Sequence, residues 1–348
     1  MAIRYRKSAE PIRTDGRDID REIASLSGEA ATQKASGSSD KHIASIAQPW
    51  RKLPEPEHSA PTYYDRPLLK EPIWEWAIPT YYYVGGLTGA SLVLGAAAQL
   101  AGSTALRLLV RRCRKTGFAG VCLSGALLIY DLGRPWRFFN MLRVFRPTSP
   151  MNMGAWILCG TGAAATGAVL LPEDCALSTT CGIAAGLFGL GLATYTGVLV
   201  ANSAIPLWYE SRRVLPVLFS ASAAASAGCA LAIFPTQDAG SIPKSFGIAG
   251  QLLEIAAGVM MEKQAAIVPR VASPLRHGFS GFLWRTSALL TATSLVVGMT
   301  GRSRRKQTVA GVLGTFGSLL LRFAIQHAGV VSSRDARASF DQQRAQQR

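Results

Sequence analysis

The strongest constraint on this chain is a series of eight apolar segments separated by polar loops. They lie near residues 80–101, 107–131, 151–171, 179–204, 213–234, 247–268, 280–300 and 307–328. Most are close to the ~20 residues that an α-helix needs to cross the hydrocarbon core of a bilayer. Glycine and other small residues recur inside them, as in Gly85-Gly86-x-x-Gly89 and Gly182-x3-Gly186-x2-Gly189-x-Gly191. Small side chains let helices approach closely in lipid, so the pattern predicts a compact bundle rather than separate spans. The second segment is the most polar: Arg107 to Lys115 must form its snorkelling end.

Composition enters where it separates membrane from nucleic acid. Apolar residues make up 49% of the chain and charged ones only 17%, yet the formal charge is +16. Residues 1–79 hold 12 basic and 12 acidic side chains, so the whole excess belongs to the apolar part. There the bases sit between apolar stretches and the aromatics within them, which is the pattern of loops beside lipid and not of a phosphate-binding face. Nucleic-acid binding is excluded on that ground.

Residues 1–79 read as a polar, Pro-rich extension without the apolar core of a signal peptide. It carries a weak helical stretch around Asp18–Ser27 and a Ser36-Gly37-Ser38-Ser39 run, and is expected to be largely disordered alone. Trp50, Tyr63, Tyr64, Trp74 and Trp76 point to docking, although the last two could equally anchor the first span at the interface. The expected organisation is therefore an extension over 1–79, an eight-helix membrane domain over 80–328, and a polar, frayed tail over 329–348. An even helix number puts both termini on one side. The basic loops Arg107–Lys115 and Arg302–Lys306 favour the termini outside, while Arg134, Arg137, Arg143 and Arg146 on the other face oppose that reading.

Of six cysteines, no two are spaced as C-x-x-C, so neither an iron–sulfur cluster nor a zinc site is encoded. Cys175 and Cys181 flank one short loop and could pair in an oxidising compartment. The four histidines, His42, His58, His277 and His327, lie in the extension or at helix ends, away from the facing core positions that an intramembrane haem needs.

Polar groups at membrane depth are costly and are candidates for function. Asp131 ends the second segment beside Arg134, Arg137 and Arg143. It could exchange a proton at the edge of an apolar cavity, or could form an interfacial salt bridge before a Gly-x-Pro turn. Tyr195, in the fourth segment, could bond a ligand carbonyl or a neighbouring backbone. Glu254, with Gln251 one turn earlier on the same face, could relay protons or sit in a structural hydrogen bond. Gln99 is a lesser group of the same kind.

The order Pro79-x-Tyr81-Tyr82-Tyr83-Val84-Gly85-Gly86-Leu87-x-Gly89, then Asp131-Leu132-Gly133-Arg134-Pro135-x-Arg137-Phe138-x-Asn140-Met141-Leu142-Arg143, then Ser149-Pro150-Met151-x-Met153-Gly154-Ala155-Trp156, resembles the NrfD/polysulfide-reductase membrane subunits. Tyr195-Thr196-Gly197-Val198-Leu199 fits as well, and the resemblance runs from about residue 79 to 327. It implies an all-α polytopic protein of eight transmembrane helices in two four-helix bundles, the first (about 80–204) holding a menaquinone or ubiquinone. It further implies a bacterial inner membrane and a ferredoxin-like iron–sulfur partner, which links to a molybdopterin subunit or a multihaem cytochrome. Carried across, Asp131 matches the acidic residue near the quinone and proton route, and Arg134 and Arg137 the motif arginines. Tyr195 matches a tyrosine approaching the ring, and Gly85 and Gly86 give room for close approach. One departure stands out: no histidine lies in the first four segments, so Tyr82, Tyr83 or Thr88 would have to serve in place of the family's first-span histidine. The competing reading is a membrane anchor that has lost quinone binding. A transporter would need inverted repeats and broken helices, which the sequence lacks.

Overall fold

The computed structural model describes residues 68–133, 136–173, 175–233, 242–301 and 303–346, and two short strands in the extension. Ile19–Asp20 (β1) pairs antiparallel with Ser25–Leu26 (β2), Ile19 opposite Leu26. A strand pair thus replaces the helix expected over Asp18–Ser27, a stretch too short to nucleate an isolated helix. The expected disorder before residue 68 falls outside the described residues, as do Trp50, Tyr63 and Tyr64.

From Ala77 onward every element is helical: α1 Ala77–Leu100, α2 Arg107–Leu132, α3 Trp136–Leu142, α4 Pro150–Leu170, α5 Ala176–Ala201 and α6 Pro206–Glu210. There follow α7 Leu215–Ile233, α8 Ile242–Ala265, α9 Pro269–Arg276, α10 Gly278–Thr300, α11 Arg304–Arg334 and α12 Ala336–Gln346. Six of these, α1, α4, α5, α7, α10 and α11, are long and apolar enough to cross a membrane. The helices α2 and α8 fill the other two expected positions at 26 and 24 residues but are more polar. In α2 the cause is the basic run at its start; in α8 it is Glu254, Glu262 and Lys263. Leucines and phenylalanines such as Leu123, Leu187, Leu190, Phe282 and Leu289 point outward. An apolar exterior of this extent suits lipid rather than water.

The long helices fall into two groups of four. α1, α2, α4 and α5 pack together, as do α7, α8, α10 and α11, and α1 and α5 lie against α7 where the groups meet. Glycine sets the closest crossings. A Cβ on Gly89 of α1 would lie 2.4 Å from the Gly189 carbonyl oxygen of α5. In the second group a Cβ on Gly228 would lie 2.3 Å from the Gly247 nitrogen, and one on Gly250 equally near the Ala225 nitrogen. Backbones in such contact admit no side chain at all.

Helix ends follow local chemistry. Gly133 stops α2 with φ 65°, a left-handed conformation that glycine adopts without strain. Ser149 caps α4, its hydroxyl accepting from the Asn152 N–H, with Pro150 in the first turn. Ser303 caps α11 in the same way through the Lys306 N–H.

Two further expectations are corrected. The tail does not fray: α12 packs Ala338 into the core, and Gln342 donates to the Pro206 carbonyl (3.2 Å) and to Glu210 (3.1 Å). Cys175 and Cys181 do not pair; all six cysteines are free. Cys175 caps α5 and Cys181 sits six residues into the same structure, a rise of about 9 Å that exceeds the reach of a disulfide.

Candidate functional site

At the end of the molecule where α1 begins and α11 ends, the two groups of helices meet along an aromatic and polar seam. Pro79 and the three tyrosines after it occupy the first turns of α1, so consecutive rings fan around the helix. Tyr82 faces the second group: its ring lies 5.9 Å from Phe219 of α7 and 6.4 Å, edge-on, from Trp74. Trp74 in turn stacks on Trp208 of α6 at 6.1 Å, and the Trp208 indole donates to the Ile325 carbonyl at 3.0 Å. Trp74 is thus docked, whereas Trp76 is exposed, its ring 5.6 Å from that of Tyr130. Tyr81 faces into the first group, with the Tyr195 ring 6.4 Å away and the Tyr82 ring 6.2 Å away.

The hydroxyls in this region lack partners. Those of Tyr81 and Tyr82 are buried without a hydrogen bond, as are Thr88, Ser124 and Thr196. A buried, unpaired hydroxyl costs roughly 1–3 kcal/mol, and its donor is available to a ligand. Tyr195 is also buried; its ring lies directly over Gly154, where a Cβ would come within 2.2 Å. This explains the glycine in the Met153-Gly154-Ala155 motif. Tyr83, partly buried, reaches toward Thr315 of α11.

Sequence reasoning missed Arg322. It lies well inside α11 and is 1% exposed. Its guanidinium stands 3.8 Å over the Phe219 ring and donates to the Phe219 carbonyl at 2.8 Å, while Nε and a second terminal nitrogen have no partner. Gly86 makes the space: a Cβ there would sit 3.4 Å from an Arg322 nitrogen and 3.3 Å from Ala223. Gly85 has no such role, with nothing closer than 3.8 Å. One turn beyond, Gln326 is buried with both amide atoms unpaired. An arginine at this depth costs on the order of 3 kcal/mol even by the milder scales, so a lone Arg inside an apolar segment was the available signal.

Arg322 has polar neighbours from both groups: Tyr82 and Tyr83 of α1 and Glu254 of α8. Glu254 is 4% exposed; its two oxygens accept from Thr291 (2.9 Å) and Ser318 (3.0 Å), tying α8 to α10 and α11. Gln251, on the same face as expected, donates to Ser294 at 2.6 Å and to the Cys229 sulfur at 3.3 Å. Among the described residues no ion pair joins Glu254 and Arg322; Arg111 with Glu173, Arg270 with Asp335 and Arg334 with Glu71 pair at exposed positions instead.

Asp131 lies apart from this seam, exposed in the last turn of α2, with Glu75 as an electrostatic neighbour and Tyr82 within its field. Arg134 lies outside the described residues, as does the side chain of Arg137, so the charge partner expected for Asp131 is not among them. The loop after α3 is held by Asn152, missed because it fell at the unassigned place in Ser149-Pro150-Met151-x-Met153. Its amide donates to the Met141 (2.5 Å) and Val144 (2.9 Å) carbonyls and its oxygen accepts from the Arg146 N–H (2.7 Å). Gln99 joins none of these groups. It lies at the opposite end of α1, accepting from Arg114 and donating to the Thr179 carbonyl.

Comparison with known proteins bears on what this seam serves. The family model described as polysulphide reductase, NrfD, matches residues 67–332, about three quarters of the chain. No curated protein matches it.

Proposed function

The chain belongs to the NrfD polysulphide reductase family, multi-pass membrane subunits of quinone-linked oxidoreductase complexes, and on that premise we propose that it reacts with quinone itself. In this reading it exchanges electrons between menaquinone or ubiquinone and an iron–sulfur partner. That partner is anchored at the inner membrane of a bacterium and leads to a molybdopterin subunit or a multihaem cytochrome. All eight long helices cross the bilayer in this reading. α2 and α8, about 39 and 36 Å long at the usual helical rise, have the length to do so.

The observation that carries the proposal is the set of unpaired polar atoms on Tyr81, Tyr82, Arg322 and Gln326 at membrane depth. A passive anchor has no use for buried donors without partners, and apolar residues there would be more stable. The residues fit the group: quinone supplies two-electron, two-proton chemistry and presents carbonyl acceptors. Tyrosine hydroxyls and a guanidinium are donors matched to such acceptors. Asp131, at the rim, has carboxylate oxygens that take up or return protons to water, with Arg134 and Arg137 setting its affinity for them. Tyr82 and Tyr83 stand where the family's first-span histidine is missing. Glu254, whose two oxygens accept from Ser318 and Thr291 within the second group of helices, is the candidate for a further proton relay.

The test is a mild-detergent isolation of the complex followed by quinol-dependent reduction of its iron–sulfur partner. Asp131→Asn should abolish that turnover while leaving the complex assembled, and unchanged turnover would remove Asp131 from the proton path. Co-purification of an iron–sulfur protein without extractable quinone, and with no quinol oxidation, would favour the anchor.

A further inference from the structure

We infer that the far end of the first helix group, opposite the aromatic seam, is a binding site for a phosphate group carried by an anion, the headgroup phosphate of an anionic phospholipid being the natural source at that depth. A cavity of about 350 Å³ lies there between α1, α2, α4 and α5. Four bases line it: Arg107, Arg111, Arg114 and Lys115, against the single carboxylate Glu173. The spacing of 107, 111, 114 and 115 puts all four on one face of α2.

The four bases are not equivalent. Arg114 forms the floor. It is 8% exposed, and its guanidinium donates to the Ala168 carbonyl (3.0 Å), the Ser178 hydroxyl (3.0 Å), the Ser178 carbonyl (3.2 Å) and Gln99 (2.8 Å). All of these acceptors are neutral, so its charge is not cancelled. Glu173 is taken by Arg111 at 3.1 Å. Arg107 and Lys115, both exposed, make no ion pair among the described residues.

This arrangement is unfavourable without an anion. The run sits at the N-terminus of α2, where the helix dipole is already positive, and no acidic residue lies in its first turn. Like charges one turn apart repel as well. A phosphate in the cavity relieves both terms, and bidentate Arg and Lys donors suit its oxygens. A snorkelling fringe would not do this: snorkelling needs the head in water, whereas Arg114 is fixed inside the helix group. Basic pockets between transmembrane helices at headgroup depth have the chemistry to hold such lipids.

The experiment uses the full chain, purified in a neutral detergent. It is titrated separately with dioleoylphosphatidylglycerol, dioleoylphosphatidylcholine and inorganic phosphate, reading the thermal unfolding midpoint and the retained lipid phosphorus. Phosphatidylglycerol should raise the midpoint saturably and phosphatidylcholine should not. Arg107→Gln with Lys115→Gln should weaken half-saturation by roughly thirtyfold, from the usual gain per surface base. Arg304→Gln with Arg305→Gln, equal in charge and at the start of another helix, should leave it within about twofold. The charge-preserving pair Arg107→Lys and Lys115→Arg should bind as the parent does, which separates lost charge from lost folding. Protection by inorganic phosphate alone, with the same dependence on Arg107 and Lys115, keeps the site and makes its ligand a free anion. Equal protection by both lipids, equal loss in the Arg304/Arg305 variant, or no protection by any of the three probes overturns the inference.

Discussion

Replacing Gly89 by alanine sets a side chain directly against backbone where α1 crosses α5. The added methyl would lie 2.4 Å from the Gly189 carbonyl oxygen and 2.8 Å from the Ala193 nitrogen. Both are backbone atoms, so no rotamer change relieves the contact. Reaching an ordinary separation of about 3.5 Å requires α1 and α5 to part by about 1 Å. Overpacking of this kind costs about 1–3 kcal/mol, and a backbone-to-backbone clash belongs at the upper end. Gly85→Ala is the control, because its methyl meets nothing within 3.8 Å. Both variants gain the same helix propensity, about 1 kcal/mol in water, so their difference reports packing alone. Unfolding followed by helical circular dichroism during a denaturing-detergent titration should place Gly89→Ala about 3 kcal/mol below Gly85→Ala. The same 1 Å shift carries Tyr81 away from Tyr195, and misplacement on that scale can lower turnover roughly 100-fold. Equal stability of the two variants would refute the close crossing, and with it the explanation of why the seam is so tightly held.

Three further outcomes follow from the contacts. Glu254→Gln keeps an acceptor for Thr291 or Ser318 and should cost under about 1.5 kcal/mol, whereas Glu254→Leu strands both hydroxyls and should cost about 2–6 kcal/mol. Detergent unfolding measures the pair, and a tolerated leucine would deny the carboxylate its structural part. Full quinol turnover in Glu254→Gln would separately remove it from proton transfer. Tyr195→Phe should raise the apparent Michaelis constant for quinol about three- to tenfold, the value of one neutral hydrogen bond; an unaltered constant would sink the role given to its hydroxyl. Asn152→Ala removes three hydrogen bonds from the loop after α3, so proteolysis between Arg143 and Ser149 should accelerate at least about tenfold. Unchanged cleavage would show that the loop is held by other contacts.

The aromatic seam also shows why site and scaffold are hard to separate here. Arg322 and Glu254 each bridge helices through hydrogen bonds, and each is a residue to which the proposed chemistry gives a part. A polar group in that position serves packing and chemistry together, so variants that keep shape while changing charge are the informative ones.

The sequence by itself determined the helical class, the positions of the eight long helices and the family, because apolar run length and the spacing of Asp131 to Arg143 and Ser149 to Trp156 are properties of contiguous residues. It also singled out Glu254 and Gln251 correctly as buried neighbours, since a one-turn offset fixes a shared face. It did not assign Arg322, Asn152 or Arg114. Whether a base inside an apolar segment snorkels or is buried depends on which helix lies opposite, as Phe219 does for Arg322 and Ser178 for Arg114. The glycines divide along the same line. Gly85, Gly86 and Gly89 are alike in sequence, yet one faces ordinary space, one makes room for a guanidinium and one touches another backbone. The folded tail belongs with them, because Gln342 finds its acceptors on α6, some 130 residues earlier in the chain. Local periodicity decides which elements form, and only the packing of distant elements decides what each buried polar atom meets.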